Sequence, residues 1–184
     1  MPDSRWRCTD SRYLFQSRWY AVRQDALTSP EGQSITYTVV EHPGYVVIVP
    51  LLSDGRVVME RIYRYPLQRV ALECPSGSLD GEAPEVAARR ELEEETGYRA
   101  GHLKWLGKYA GSSGISDEEF SIFLATDLRA DGVLRREITE DIEIELIPLA
   151  DLRGQVLRGE INDGSSALAI LLASEVLNLN EPDS

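Results

Sequence analysis

The sequence has few cysteines, few basic residues and no long apolar run. Only two of its 184 residues are cysteine, Cys8 and Cys74, which argues against a small secreted domain held together by disulfides. No apolar stretch is long enough to cross a bilayer, and the N-terminus lacks the hydrophobic region of a signal peptide. We therefore expect a reduced, cytoplasmic protein with no membrane partner.

Basic residues are outnumbered by acidic ones. The chain has 19 Lys and Arg against 31 Asp and Glu, a formal net charge of −12. Nucleic-acid binding favours a basic surface, so we expect no nucleic-acid partner. A small phosphorylated substrate is still compatible with this charge, because a bound metal ion and a few arginines can supply local positive charge. The length suits one domain with a sizeable core.

The most informative segment runs from Gly77 to Tyr98, and its central part predicts a helix. Pro84 suits the first helical turn, and Gly97 suits the left-handed residue just past a helix end. Most residues between them are good helix formers. At about 100° per residue, three glutamates fall on one face. They are Glu91, Glu94 and Glu95.

Three carboxylates on one helix face repel one another, at a cost of a few tenths of a kcal/mol per pair. A solvated acidic helix is one interpretation of such a cluster. A divalent cation among the carboxylates is the other, because hard cations such as Mg²⁺ bind oxygen ligands. Arg90 lies four residues before Glu94, where it can pair with that side chain and orient it. We favour the metal site.

The same segment resembles the Nudix box, G-x5-E-x7-R-E-U-x-E-E-x-G-U, where U is a bulky apolar residue. The matching residues are Glu82, Arg90, Glu91, Leu92, Glu94, Glu95, Gly97 and Tyr98. Four residues rather than five separate Gly77 from Glu82, so the loop before the helix is one residue short. The resemblance implies a site for Mg²⁺, with Mn²⁺ as an alternative. The implied ligands are Glu91, Glu94, Glu95, a further or water-mediated Glu82, and the backbone carbonyl of Ser76.

The pattern of strands and helices agrees with the α/β fold that this resemblance implies. We expect a Nudix fold, an α/β/α sandwich with a mixed β-sheet, over residues 44–184. Residues 1–43 form an N-terminal antiparallel strand extension, with strands predicted over 18–25 and 35–40. Further strands are predicted over 45–52, 57–63, 70–74, 101–109, 120–125 and 141–147, and further helices over 150–158 and 166–177.

Several short strings resemble the ADP-ribose pyrophosphatase branch of the family. They are VVEHPGYVVIVP, RIYRY, ECPSG and SSGISDE. In the last string Ser113 replaces the proline that is typical of ADP-ribose hydrolases. The resemblance implies hydrolysis of a nucleoside diphosphate sugar, with ADP-ribose giving AMP and ribose 5-phosphate. GDP-mannose or a broad range of sugar nucleotides is the alternative substrate, and a nucleotide-sensing binding module is the alternative from another functional class.

The branch also implies roles outside the box. Arg64 and Glu73 are candidates for substrate contacts, and Trp19 and Tyr37 match positions that sandwich adenine across a swapped homodimer. Ordinary strand packing is the alternative for both aromatic residues. The general base stays open among three glutamates. Glu140 most resembles the acidic loop that supplies the base, Glu118 lies in the SSGISDE string, and Glu137 is the third.

Overall fold

The structure is a computed structural model of the chain, in which residues 5–136 and 141–178 are described. The chain divides into two compact units. The N-terminal unit contains the residues up to Gly44 together with Tyr109–Glu119. The second unit contains Tyr45–Lys108 and the residues from Phe120 onward. The sequence pattern does not predict that the 109–119 segment belongs with the N-terminal extension.

The N-terminal unit is built on a three-stranded antiparallel sheet with strand order β1-β2-β3. The strands are β1 Arg7–Gln16, β2 Ala21–Thr28 and β3 Ser34–Glu41. The predicted strand over 18–25 begins late, because the amide of Ser17 donates to the carbonyl of Tyr20 and forms a turn first. Strand β1 was not predicted. It is exposed along its whole length and its register is broken twice by bulges, so its sequence lacks the alternation that marks a half-buried strand.

A four-stranded mixed sheet with strand order β7-β4-β9-β8 belongs to the second unit, except for the last two residues of β8 and the first residue of β9. The strands are β4 Tyr45–Pro50, β7 Ser76–Ser78, β8 Arg99–Ala110 and β9 Glu119–Arg129. Strand β4 pairs in parallel with β9 and in antiparallel with β7. Its residues from Val46 to Val49 are fully buried, which explains the nearly continuous apolar run.

A second, antiparallel sheet of this unit has strand order β10-β5-β6. Its strands are β5 Arg56–Arg64, β6 Arg69–Glu73 and β10 Ile142–Pro148, with a short 3₁₀ turn over Tyr65–Leu67. The helices are α1 Pro84–Thr96, α2 Leu149–Leu157 and α3 Gly164–Asn178. Over the part of the chain that is described, no helix is long and apolar enough to span a membrane.

Helix α1 carries the glutamate cluster and is anchored by buried apolar residues that lie beside Glu91 and Glu95 on the same side of the helix. Ala87, Ala88 and Leu92 are fully buried and belong to one core cluster with Val46 and Ile48 of β4. The helix starts at Pro84 and ends before Gly97, whose φ of +74° is the left-handed conformation predicted for that position. The sheet therefore fixes the position of the glutamates through the small residues that pack against it.

Candidate metal and substrate site

The loop before α1, which is one residue shorter than the motif requires, contains a tight turn. Asp80 and Gly81 both have positive φ, +47° and +82°, and the amide of Glu82 donates to the carbonyl of Leu79 at 2.7 Å. Two successive residues with positive φ are typical of a type I′ turn, for which Asp-Gly is a favoured pair. The turn returns the chain to the start of α1 with Glu82 close to the helix.

Arg90 is the centre of the glutamate cluster. Its guanidinium donates to Glu82 at 2.8 Å, to Glu91 at 2.7 Å and to Glu94 at 3.3 Å. It also donates to the carbonyl of Ser78 at 2.9 Å. One side chain thus links three of the predicted metal ligands to the loop that precedes their helix.

The electrostatics of this group leave negative charge in excess. Burial acts to lower the pKa of Arg90, but hydrogen bonds and charges from Glu82 and Glu91 outweigh it and raise that pKa. The guanidinium therefore stays cationic at any physiological pH. It provides one positive charge against the three carboxylates that it contacts.

Glu91 and Glu95 are held against the backbone of β7. The carboxylate of Glu91 lies on Gly77, so closely that a Cβ built on this glycine would overlap it. The amide of Ser76 donates to Oε2 of Glu95 at 3.0 Å. Both glutamates are buried, with 9% and 5% of their surface exposed. Ser76, which the resemblance offers as a carbonyl ligand, is thus directly beside Glu95.

The chemistry of these residues fits a hard divalent cation. All the candidate donors are oxygen atoms, two of them belong to buried carboxylates, and the cluster carries excess negative charge. Within residues 5–136 and 141–178, no three acidic, histidine or cysteine side chains converge tightly enough to enclose an ion. The carboxylates gather around the Arg90 guanidinium instead. Glu82, Glu91, Glu94 and Glu95 are the residues whose carboxylates could hold such an ion.

Arg64 and Glu73 form a pair beside this cluster. Two nitrogens of Arg64 donate to the carboxylate of Glu73, at 3.1 and 2.6 Å. The Glu73 side chain is 8% exposed and that of Arg64 is 40% exposed. The hydrogen bond to Glu73 raises the pKa of Arg64, and the charge of Glu95 adds to the effect. Glu73 therefore orients the Arg64 guanidinium, which is close enough to helix α1 to interact electrostatically with Glu95.

In the N-terminal unit, Trp19 lines a cavity of about 340 Å³ formed by residues 17–21 and 41–43. The guanidinium of Arg18 lies 3.9 Å from the centre of the Trp19 ring, within the range of a cation–π contact. Tyr37 lies elsewhere on the same sheet. Its hydroxyl donates to the carbonyl of Gly114 at 2.5 Å, so it ties the 111–118 loop to strand β3.

Glu118 also belongs to the N-terminal unit, where it faces His42. The Nδ1 atom of His42 lies 3.3 Å from Oε1 of Glu118 and accepts the amide of Gly44 at 3.1 Å. The Glu118 carboxylate also fills the space beside Gly111, where a Cβ would lie 2.6 Å from Oε2. The other two base candidates, Glu137 and Glu140, lie outside the described residues.

Sequence reasoning missed the contacts that hold the end of α1. The segment from Gly132 to Arg136 donates several hydrogen bonds to the last turn of this helix. No periodic pattern marks that segment, because its role depends on backbone groups that are distant in the sequence.

Comparison with known proteins agrees with this geometry. A model of the NUDIX domain matches residues 41–167. The chain belongs to the Nudix family. A second model, the nucleoside diphosphate sugar hydrolase N-terminal domain, matches residues 6–40, which include all three strands of the N-terminal sheet except the last residue of β3.

Two relatives within the Nudix family are named ADP-ribose pyrophosphatase. The protein from Bacillus subtilis (strain 168) is 38% identical over 162 residues, which cover 85% of this chain and 86% of the relative. That from Mycobacterium tuberculosis (strain ATCC 25618 / H37Rv) is 36% identical over 176 residues, which cover 94% and 84%. The resemblance to the Nudix family and its ADP-ribose pyrophosphatase branch is confirmed.

A solved structure shows the fold. The crystal structure of an ADP compounds hydrolase superposes with a TM-score of 0.83 over 97% of each chain, at 23% sequence identity. The predicted α/β Nudix fold is therefore confirmed.

Proposed function

We propose that this Nudix protein is an Mg²⁺-dependent hydrolase that cleaves ADP-ribose to AMP and ribose 5-phosphate. The relatives bear out the broader expectation of a pyrophosphohydrolase that acts on nucleoside diphosphate sugars. The observation that carries the proposal is the set of four glutamates, of which three contact Arg90 and two, Glu91 and Glu95, are fixed against the backbone of β7. Clustered carboxylates attract a divalent cation, and the bound cation would in turn attract the negatively charged pyrophosphate.

The reaction needs charge neutralised on the phosphoryl oxygens and a water molecule made nucleophilic, and a bound Mg²⁺ supplies both. The chain's own residues prepare this chemistry. Gly77 leaves room for the Glu91 carboxylate, and the Ser76 amide fixes that of Glu95. Because both glutamates are buried, their orientation is set before any ligand binds.

Arg64 supplies positive charge for the substrate in this proposal. Its guanidinium is held by Glu73, and its side chain remains 40% exposed. Because the side chain is already ordered, it would lose little conformational entropy when it binds a phosphate. In the N-terminal unit, the cavity beside Trp19 offers an aromatic face for the nucleobase. Stacking on such a face contributes about 1–3 kcal/mol per base.

For the general base, we propose Glu140 and Glu118 as the two candidates to compare. A general base contributes about 10²- to 10⁴-fold to the rate. Replacement of the true base by glutamine should therefore lower kcat by that factor and remove the acidic limb of the pH–rate profile. The other replacement should leave that limb in place.

GDP-mannose is the second candidate substrate. Ser113 replaces the proline typical of ADP-ribose hydrolases, and a relative from Yersinia pestis (strain Pestoides F), 27% identical over 175 residues, is named GDP-mannose pyrophosphatase. A binding module without activity is less consistent with the chain, because all the box glutamates are present.

We also propose that the protein acts as a homodimer. Strand β1 exposes Tyr13, Leu14 and Phe15, each by about half of its surface, and large apolar side chains exposed close together are typical of interaction sites. A second copy of the chain would cover it. Light scattering of the wild-type chain should give twice the chain mass, and Leu14→Lys should give a monomer. A monomeric wild-type chain would contradict the dimer. The cytoplasmic location stays a prediction.

The substrate is tested with a panel of sugar nucleotides, with phosphate release coupled to alkaline phosphatase. Glu94→Gln should lose most of the Mg²⁺-dependent activity. Glu85→Gln is the matched control, since Glu85 lies on the same helix and its partner is Arg89 rather than Arg90. Equal activity of the two variants would rule out the assigned metal site, and a preference for GDP-mannose would change the substrate alone.

A further inference from the structure

The segment from Gly132 to Arg136 lies along the C-terminal end of helix α1. The amide of Gly132 donates to the carbonyl of Gly97 at 3.0 Å, and the amide of Arg135 donates to that of Glu94 at 2.9 Å. A Cβ on Gly132 would lie 2.8 Å from the carbonyl oxygen of Gly97, so glycine permits this approach. The segment satisfies carbonyl groups that a helix end cannot satisfy by itself.

Arg136 completes this arrangement with its side chain. Its Nε donates to the carbonyl of Glu95 at 2.8 Å, and its Nη1 donates to the carbonyl of Ile142 at 2.6 Å. Glu95 lies in the last turn of α1 and Ile142 is the first residue of β10. One half-buried guanidinium thus links the helix end to the antiparallel sheet. A positive charge at this end also interacts favourably with the helix dipole.

The turn that Arg136 holds contains two of the glutamates assigned to the metal. The carbonyl of Glu94 is bound by the Arg135 amide and that of Glu95 by the Arg136 side chain. The carboxylates of the same two residues face Arg90 and the Ser76 amide. The direction of a helical side chain follows from its backbone, so a fixed backbone limits where both carboxylates can lie.

We propose that Arg136 is a positioning residue for Glu94 and Glu95, and that it sets the affinity of this site for a divalent cation. This inference rests on the proposed metal-dependent function. A positioning role and a purely structural role predict different effects when Arg136 is replaced. An arginine that only stabilises the fold changes the melting temperature when it is replaced, whereas a positioning residue also changes metal affinity at temperatures where the protein stays folded.

The test is calorimetric titration of the full, metal-free chain with Mn²⁺ at 25 °C, after a melting curve of each variant has established that it is folded at that temperature. Arg136→Gln should weaken Mn²⁺ binding about tenfold, the lower end of the effect for residues that support metal ligands. Arg89→Gln is the matched control. Arg89 also ties α1 to a backbone carbonyl, that of Ala100 at 2.8 Å, but not in the turn that carries Glu94 and Glu95. The control should bind Mn²⁺ within twofold of the wild-type chain.

Equal Mn²⁺ affinity in Arg136→Gln and the wild-type chain would overturn the inference while leaving the proposed function intact. If the wild-type chain does not bind Mn²⁺, both are overturned. If Arg136→Gln does not fold, Arg136→Lys takes its place, because lysine retains the charge but lacks the planar fork that reaches both carbonyls. That variant should also weaken Mn²⁺ binding, and wild-type affinity in it would refute the positioning role.

Discussion

The substitution Gly77→Ala tests the glutamate cluster with the smallest possible change. The φ of Gly77 is not positive, so alanine suits the backbone there. The added Cβ would overlap the carboxylate of Glu91, which must then move by about 1 Å or more. A displacement of this size at an active site can cost about 100-fold in rate. We therefore expect kcat to fall about 100-fold, which corresponds to about 2.7 kcal/mol.

The assay is steady-state hydrolysis of ADP-ribose with saturating Mg²⁺, with the melting temperature measured alongside. Gly164→Ala is the control, because a Cβ on that glycine meets nothing within 4 Å, and it should keep wild-type activity. The same change is then made in a Glu91→Gln background. If Gly77→Ala acts by moving the Glu91 carboxylate, it should have little further effect there. Wild-type activity of Gly77→Ala, or additive losses in the double variant, would refute the reasoning.

Three further predictions concern other parts of the chain. Tyr37→Phe removes a hydroxyl hydrogen bond and should lower the free energy of unfolding by about 0.5–1.5 kcal/mol, measured with urea; an unchanged value would show that the bond is not formed. The pKa of Glu93 is lowered to about 2 by the Arg99 guanidinium and then by a backbone amide, so this stabilisation is present above about pH 4.5 and is lost as the pH falls toward 2. The melting temperature of Glu93→Gln should therefore lie below that of the wild-type chain at pH 6 and approach it near pH 2, and a constant difference would contradict the assignment. Burial raises the pKa of the Cys74 thiol while Cys8 is exposed, so a disulfide reagent should titrate one thiol in the native chain and two after unfolding; two fast thiols in the native chain would be inconsistent with this burial.

Helix α1 could be predicted closely because its limits depend on local residues. Pro84 and Gly97 suit their positions whatever the rest of the chain does, and the helix begins at Pro84 and ends just before Gly97. The spacing of the glutamates then fixes which face they share. The role of Arg90 is likewise local, since its partners lie within the box and the loop before it.

Other features depend on contacts between residues that are distant in the sequence. The 109–119 segment joins the N-terminal unit because Val40 and Ser116 form a parallel bridge, and no pattern in either stretch indicates the other. Arg136 could not be recognised for the same reason, because its partners are two carbonyl groups. The short loop was a different case. Whether the shorter loop still brings Glu82 close to α1 depended on whether Asp80 and Gly81 adopt the tight turn that an Asp-Gly pair favours.

The most direct test of the account is to incubate the wild-type chain with ADP-ribose and identify the products by ion-exchange chromatography. The reaction is followed with Mg²⁺ and with a chelator in its place. We expect equal amounts of AMP and ribose 5-phosphate with Mg²⁺ and neither product with the chelator. Product formation that does not depend on the metal, or the absence of hydrolysis of every sugar nucleotide in the presence of Mg²⁺, would contradict it.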